Sequence, residues 1–389
     1  QFKSFFIVKL LCIDLLEQNT GRTWGFFVLK WLNFEGNDWM KSRNFRKTAL
    51  FVLAVFISGC GRRTEPPLTR QADLVVCTDL ELPVYEPVVK EFEERTGLIV
   101  EVQAGTSEEI RTWLAQEQTE RNGDGKRGPD QPAEWDLAFG VNTELLDEYK
   151  ELWFPCESSE AKMLDSRYVS PDHFWTGFSV LPLVIMYNTN VVTYRELPVG
   201  WESLLEPRWQ GRVAFADPEQ SDVSALALAA AMLGSQSGED YIGKLAENLN
   251  YEVLKSVEQV NEGILDGRYS VGVTTEAAAQ TLRSGGADVD YIYPEEGTAM
   301  VLDGTAVRAG SSHKEEALAF LDFTVSRDAQ KIMAVSRNRR SVRTDTAAEK
   351  GMDPMEKLPL PEAGKAELSE AKQQADMLWQ QADGREGGA

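Results

Sequence analysis

The stretch GRYSVGVTTEAAAQTL, residues 267–282, decides how the rest of the chain is read. YSVGV is a short apolar strand, and EAAAQTL is made of helix formers, with no loop between them. Thr274 and Thr275 stand at the junction. A strand running straight into a helix is half of a βα unit. Threonine at such a junction either caps the helix or turns its hydroxyl and the free helix N–H groups toward a ligand.

The same order recurs on both sides. DLVVC (73–77) is a strand, and Val84, Tyr85, Val88, Val89 and Phe92 then repeat at helical spacing until Gly97. LIVEVQAG (98–105) and WDLAFG (135–140) are further strands, separated by a helix carrying Ile110, Trp113 and Leu114 on one face. A second set follows with RVAFAD (212–217), a helix through SALALAAAML (224–233), another over 256–264, and VDYIYP (289–294) after the opening unit. The end of the chain is mostly helical, through HKEEALAFLDF, RDAQKIMAVS and an amphipathic tail after Pro361. Between the two sets lies GFSVLPLVIMYN (177–188), an apolar run interrupted by Pro182 that reads as a strand crossing from one sheet to another. Repeated βα units imply an α/β fold with mainly parallel sheets covered by helices. The glycine-rich, charged insertion at 119–134 is a surface loop whose likeness to a calcium loop stops after NGDG.

MKSRNFRKTALFVLAVFISGC, residues 40–60, has a basic start, an apolar core and small residues before Cys60. That is the pattern of a bacterial export signal ending in a lipobox, with Cys60 as the lipidated residue. The apolar core is far shorter than the roughly 20 residues of a membrane-spanning helix. Residues 1–39 precede this signal and are expected to be an upstream, non-native extension, with 40–59 as the signal and 60–72 as a polar tether. Roughly 330 residues then remain, enough for two domains with cores of their own. The formal net charge of the whole chain is −22, and the segment before Cys60 holds more bases than acids, so the exported part is more acidic still. Nucleic acid is therefore excluded as a partner. Cys77 and Cys156 either pair or stay as thiols in an exported compartment, and their spacing fits no zinc pattern. With only His173 and His313 present, mechanisms needing several imidazoles are excluded.

EPVVKEFEERTG (86–97), GWESLLEPRWQGRVAFADP (200–218), ILDGRYSVGVTTEAAA (264–279), YIYPEEGTAMVLDGTAV (291–307), EEALAFLDFTVSRDAQKIMA (315–334) and RRSVR (339–343) occur in this order. Together they resemble the extracellular solute-binding lipoproteins of ABC importers, in the branch that holds ferric-ion, aminoalkylphosphonate and sugar-phosphate binders. The resemblance implies a two-lobed periplasmic-binding-protein type II fold whose lobes are joined by crossing hinge strands and trap a solute between them. Lobe one would comprise 73–176 plus 295–335, lobe two 180–294, and the C-terminal helices 336–389. It also implies an ABC permease and ATPase as partners, a lipid anchor to the cell envelope, and a monomer.

Ligands in open α/β sheets sit beyond the carboxyl ends of the strands. Small hydroxyl residues stand at each such point: Thr78, Thr106 and Ser107 in lobe one, and Ser221, Ser224, Ser256, Thr274 and Thr275 in lobe two. Thr106 with Glu109, and Ser256 with Gln259, also fit the capping box. Ferric-ion binders of this branch carry two adjacent tyrosines where this chain has Thr274 and Thr275, and no Tyr-Tyr pair exists in it. Tyr291 and Tyr293 alternate on a strand and read as core. Glu295 beside Glu296 either meets the far end of an anionic ligand or lies in a solvated turn. Trp175 and Phe178 either wall the cleft or belong to the core, and Arg343 either reaches the cleft rim or pairs with surface acids. The expectation is a receptor for a small phosphonate or phosphorylated solute, with a ferric-ion or iron–anion receptor and a ligand-sensing lipoprotein as alternatives. No cofactor is expected. With no activated nucleophile and no GxxxxGK[ST] loop in sight, neither is enzymatic activity.

Overall fold

Strand β4, Thr176–Asn188, is buried along almost its whole length because it serves two sheets in turn. A computed structural model describes residues 72–121 and 134–382; Cys60 and the leader before it lie outside the described residues. From Thr176 to Pro182, β4 pairs with β8, Met300–Val307. From Leu183 it pairs with β6, Val271–Thr275, on one side, and from Ile185 with β7, Val289–Ile292, on the other. Pro182 sits where the partners change, a point at which a missing N–H disturbs neither ladder. Its neighbour Leu183 donates its N–H to Ala299 O at 2.9 Å.

Lobe one builds outward from β8 through β3 (Leu137–Asn142) and β1 (Leu74–Thr78) to β2 (Val100–Ala104). Lobe two builds outward from β4 through β6 to β5, Val213–Ala214. The pairs β1–β2, β1–β3 and β5–β6 are parallel, as βα units require. Every pair that includes β4 or β8 is antiparallel, so each sheet is mixed rather than mainly parallel. These two strands run between lobes rather than returning through a crossover helix, and the parallel rule does not bind them.

Helices cover both faces of each sheet. In lobe one, α1 (Leu82–Thr96) lies on one face, where Val88, Phe92, Phe139, Phe178 and Phe320 pack together. It opens on Pro83 and stops at Gly97, whose φ of 73° is a left-handed value that glycine adopts without steric cost. On the other face α2 (Ser107–Arg121) and α3 (Thr143–Glu148) enclose Ile110, Leu114, Trp135, Trp153 and Trp175. In lobe two the period-two alternation of β4 sends Leu183 and Ile185 to one core and Val184 and Met186 to the other. The first core is closed by the alanine-rich α4 (Asp222–Gly234) and α5 (Asp240–Asn248), the second by α6 (Val257–Leu265) and α7 (Glu276–Ser284).

Helices α8 (Lys314–Thr324) and α9 (Arg327–Arg337) return to lobe one, and the chain then passes the hinge again. Val180 and Arg340 exchange backbone hydrogen bonds there, at 3.0 and 3.3 Å. The last helix, α10 (Lys365–Ala382), lays Ala371, Ala375 and Trp379 into the first core of lobe two. Among the described residues no helix is long and apolar enough to cross a membrane.

The opening strand tolerates no side chain at Gly272. A Cβ there would lie 2.7 Å from Ala214 O and 2.8 Å from Ile264 Cδ1, between β5 and α6. Gly272→Val is expected to lower the unfolding free energy by at least about 2 kcal/mol, read as a lower urea midpoint.

Candidate functional site

The register of three strands sets Asn142, Asp303 and Ser179 side by side across β3, β8 and β4. Asp303 is 6% exposed and accepts from Ser179 Oγ at 3.0 Å and from Arg339, which also donates to Ser179 Oγ at 2.8 Å. Burial raises the Asp303 carboxyl, and Arg339 only partly offsets that. Asp79, one residue beyond β1, accepts from Ser107 Oγ at 2.8 Å. Burial first, then the charges of Asp303 and Asp222, push Asp79 up to about 6. Asp222 opens α4 in the other lobe and accepts from Asn142 Nδ2 at 2.8 Å. Burial acts to raise Asp222 as well, but Lys372 and Asn142 hold it below the usual carboxylate range. Three carboxylates from both lobes thus feel one another: Asp79 just past β1, Asp303 within β8 and Asp222 at the start of α4.

The hydroxyl residues divide into two kinds. Thr106, Ser221, Ser256 and Thr275 each accept a backbone N–H three residues on, so each caps a helix. Thr78 donates to Phe139 O at 2.6 Å and accepts from Leu80 N at 3.0 Å, which ties β1 to β3. Ser107 is the one that meets the carboxylates. Thr274 and Ser224 are fully buried, and neither hydroxyl has a hydrogen-bond partner. A buried hydroxyl without a partner is costly, so these two are the notable members of the set. Glu295 is exposed in a turn held by its own N–H to Val199 O, while Glu296 accepts from the N–H groups of Trp201 and Glu202 at 3.0 Å each.

Glu276, the residue after the threonine pair, is fully buried against Arg340 through two bonds of 2.6 and 2.7 Å. Tyr293 donates to the same carboxylate. Burial first, then Glu276, raise both the Tyr293 and the Tyr291 phenols, so neither is set up as a phenolate. Arg343 is buried and paired with Glu160 and Asp345 rather than open to the cleft. Trp175 and Phe178 lie in lobe-one cores. Cys77 and Cys156 are both free thiols. A cavity of about 590 Å³ opens beside residues 339–360, but its lining includes neither Asp79, Asp222 nor Thr274.

Sequence reading passes over Asp79, Asp222, Asp303 and Asn142, and meets Arg339 only as part of the basic RRSVR segment. The one local signal was an acid inside an apolar strand, Asp303, which a solvated position would not explain.

Among the described residues no group of three or more His, Cys, Asp or Glu has metal-holding geometry. The cluster instead stores electrostatic repulsion. The folded protein holds the Asp79 proton up to about pH 6, whereas an ordinary aspartate releases it near 3.8. Asp79 therefore costs stability as pH rises through that window and costs nothing below it. Asp79→Asn is expected to stabilise the protein by about 1–2 kcal/mol at pH 7.5 and not at pH 4, measured by urea unfolding at both. Equal effects at the two pH values would place the cost elsewhere.

The bacterial extracellular solute-binding protein family matches residues 141–366. The chain is 24% identical to the Iron uptake protein A1 of Synechocystis sp., over 72% of this chain and 79% of that one. Iron-bound HitA from Pseudomonas aeruginosa superposes with a TM-score of 0.67 at 20% identity, covering 79% of this chain and 98% of HitA. AfuA from Actinobacillus pleuropneumoniae with fructose-6-phosphate bound gives 0.66 at 18% identity, covering 80% and 98%. Two α/β lobes sharing a strand, with polar groups from both at the strand ends, thus meet a family match over more than half of the sequence: the chain belongs to the bacterial extracellular solute-binding proteins.

Proposed function

We propose that the protein is the solute-capturing component of an ABC importer and that its cargo is ferric iron held together with an anion. The observation that carries this reading is the approach of Asp79, Asp222 and Asp303 from two lobes, with the Asp79 carboxyl pushed up to about 6 by burial and by the other two. Asp303 and Asp222 already meet Arg339 and Lys372, and the three carboxylates form no metal-holding group as they stand, so a cation would relieve Asp79 first and take its remaining ligands from the anion. The relatives named for iron support the same choice.

The tyrosine pair of the ferric binders is replaced by Thr274 and Thr275, so the metal must bring further ligands with it. Arg339 and the unpartnered hydroxyls of Thr274 and Ser224 suit the anion that supplies them. A phosphorylated solute alone, as in AfuA, is the second reading. It is favoured by the same hydroxyls and disfavoured by the three carboxylates, which would face a second negative charge. In either case the lobes close because the closed state holds the solute more tightly. Export and the lipid anchor at Cys60 complete the proposal, placing the receptor outside the cytoplasmic membrane.

Ferric citrate at about a hundredfold excess over its dissociation constant is expected to raise the melting temperature by about 3–5 °C. A ligand-to-metal absorption band should appear on loading. Asp79→Asn should weaken this capture about tenfold or more, and Thr274→Val should weaken it without loss of stability. Stabilisation by organophosphonates or sugar phosphates but not by ferric citrate would overturn the iron reading in favour of the second.

A further inference from the structure

The geometry points to α10 as an interlobe clasp, with Lys372 as the positioning residue that holds the two lobes together over the cleft. The helix is seated in lobe two: Ala371, Ala375 and Trp379 lie in its core, and the Trp379 ring is 6.2 Å from that of Phe215. Its polar edge reaches the other lobe. Lys372 Nζ donates to Glu144 Oε2 of α3 at 2.8 Å and to Asp222 Oδ1 of α4 at 2.9 Å. Lys365 Nζ donates to Asp147 Oδ2 of α3 at 2.9 Å and lies 4.8 Å from the centre of the Trp175 ring. Asn142, which caps α3, completes the contact through Asp222.

Lys372 is 17% exposed and stands among acids from three elements: Glu144 on α3, Asp222 at the start of α4, and Asp376 one turn further along α10, which also feels Glu219 from the turn before α4. Asp376 Oδ1 is buried without a hydrogen-bond partner. Without the ammonium, Glu144 and Asp222 would repel one another across the lobe boundary, so this cation converts a repulsive approach into an attractive one. The bonds from Lys372 and Lys365 to α3 cross between bodies whose apolar cores are separate, so they can form and break without unfolding either. The family match ends at residue 366, one residue past the start of α10. Lys372 and most of α10 thus lie beyond the family pattern, while the acids they meet lie within it. It acts on closure itself, whatever solute the cleft takes.

The test uses Lys372→Met, Glu144→Gln and the double variant of the whole protein, with small-angle scattering in low salt and no added solute. Each single variant should enlarge the radius of gyration, and the double variant should enlarge it no further, because both remove one contact. With ferric citrate as the probe, each single variant should also bind about three- to tenfold more weakly, since less of the protein is closed. An unchanged radius in both single variants, or additive changes in the double, would overturn the clasp. If Lys372→Met disturbs α10, seen as lost helical circular dichroism, Glu144→Gln in the other lobe decides the matter alone. Because scattering is recorded without solute, failure of the iron reading leaves this result intact.

Discussion

One strand shared by two sheets is the constraint on which the rest of the structure depends. β4 gives Phe178 to one core of lobe one, Val180 to the hinge cluster with Tyr168 and Val342, and Leu183, Val184, Ile185 and Met186 to the two cores of lobe two. A polar residue at any of these places would be buried without a partner, which explains an apolar run with no alternation. Because β4 runs through the boundary and pairs in both sheets, any rotation of the lobes would bend strands rather than a loose linker. Rotation of this kind redirects side chains at the strand ends while leaving every core packed.

Inside that frame the charges are arranged against the overall field. The chain is strongly acidic, yet its buried arginines are each committed: Arg340 to Glu276, Arg343 to Glu160 and Asp345, and Arg308 to Glu117 and Glu134. Pairs like Arg340 with Glu276 fix a local geometry, here the start of α7, and are weak evidence of net stabilisation. Buried polar atoms without a partner are spread through the described residues, from Trp209 and Asn261 to Thr305, and they include two of the hydroxyls expected at the site. Asp79 has one serine, and Thr274 and Ser224 have nothing. A protein built to gain a partner holds such groups in deficit until the partner arrives.

The fold was largely legible in the sequence because βα periodicity is local. The strands, the capping residues Thr106, Ser256 and Thr275, and the crossing segment with Pro182 all follow from spacing and residue type within a few positions. The antiparallel pairing of β4 and β8 did not follow, since strand direction there depends on the path between lobes. The carboxylates were not legible either. Asp79, Asp222 and Asp303 lie far apart in the chain and look like three of many surface acids until register and closure bring them together. Hydroxyls at helix starts are visible in the sequence, where cap and ligand readings stand side by side, and Thr106, Ser221, Ser256 and Thr275 do cap their helices.

The difference between the interiors of the lobes and the contact between them has an energetic consequence. Each lobe is held by apolar cores of several buried tryptophans, leucines and phenylalanines, each of which contributes about 1.5–3 kcal/mol when buried. The contact across the boundary is made by Asn142, Glu144, Asp147, Asp222, Lys365 and Lys372, whose carboxylates are 37–44% exposed. Such pairs contribute only about 0–1 kcal/mol each. The lobes therefore persist as bodies while the contact between them stays near balance. A binding solute need supply only a modest differential affinity to close it. For a receptor that must also release its cargo, a weak polar boundary between two strong apolar interiors is the arrangement the chemistry requires.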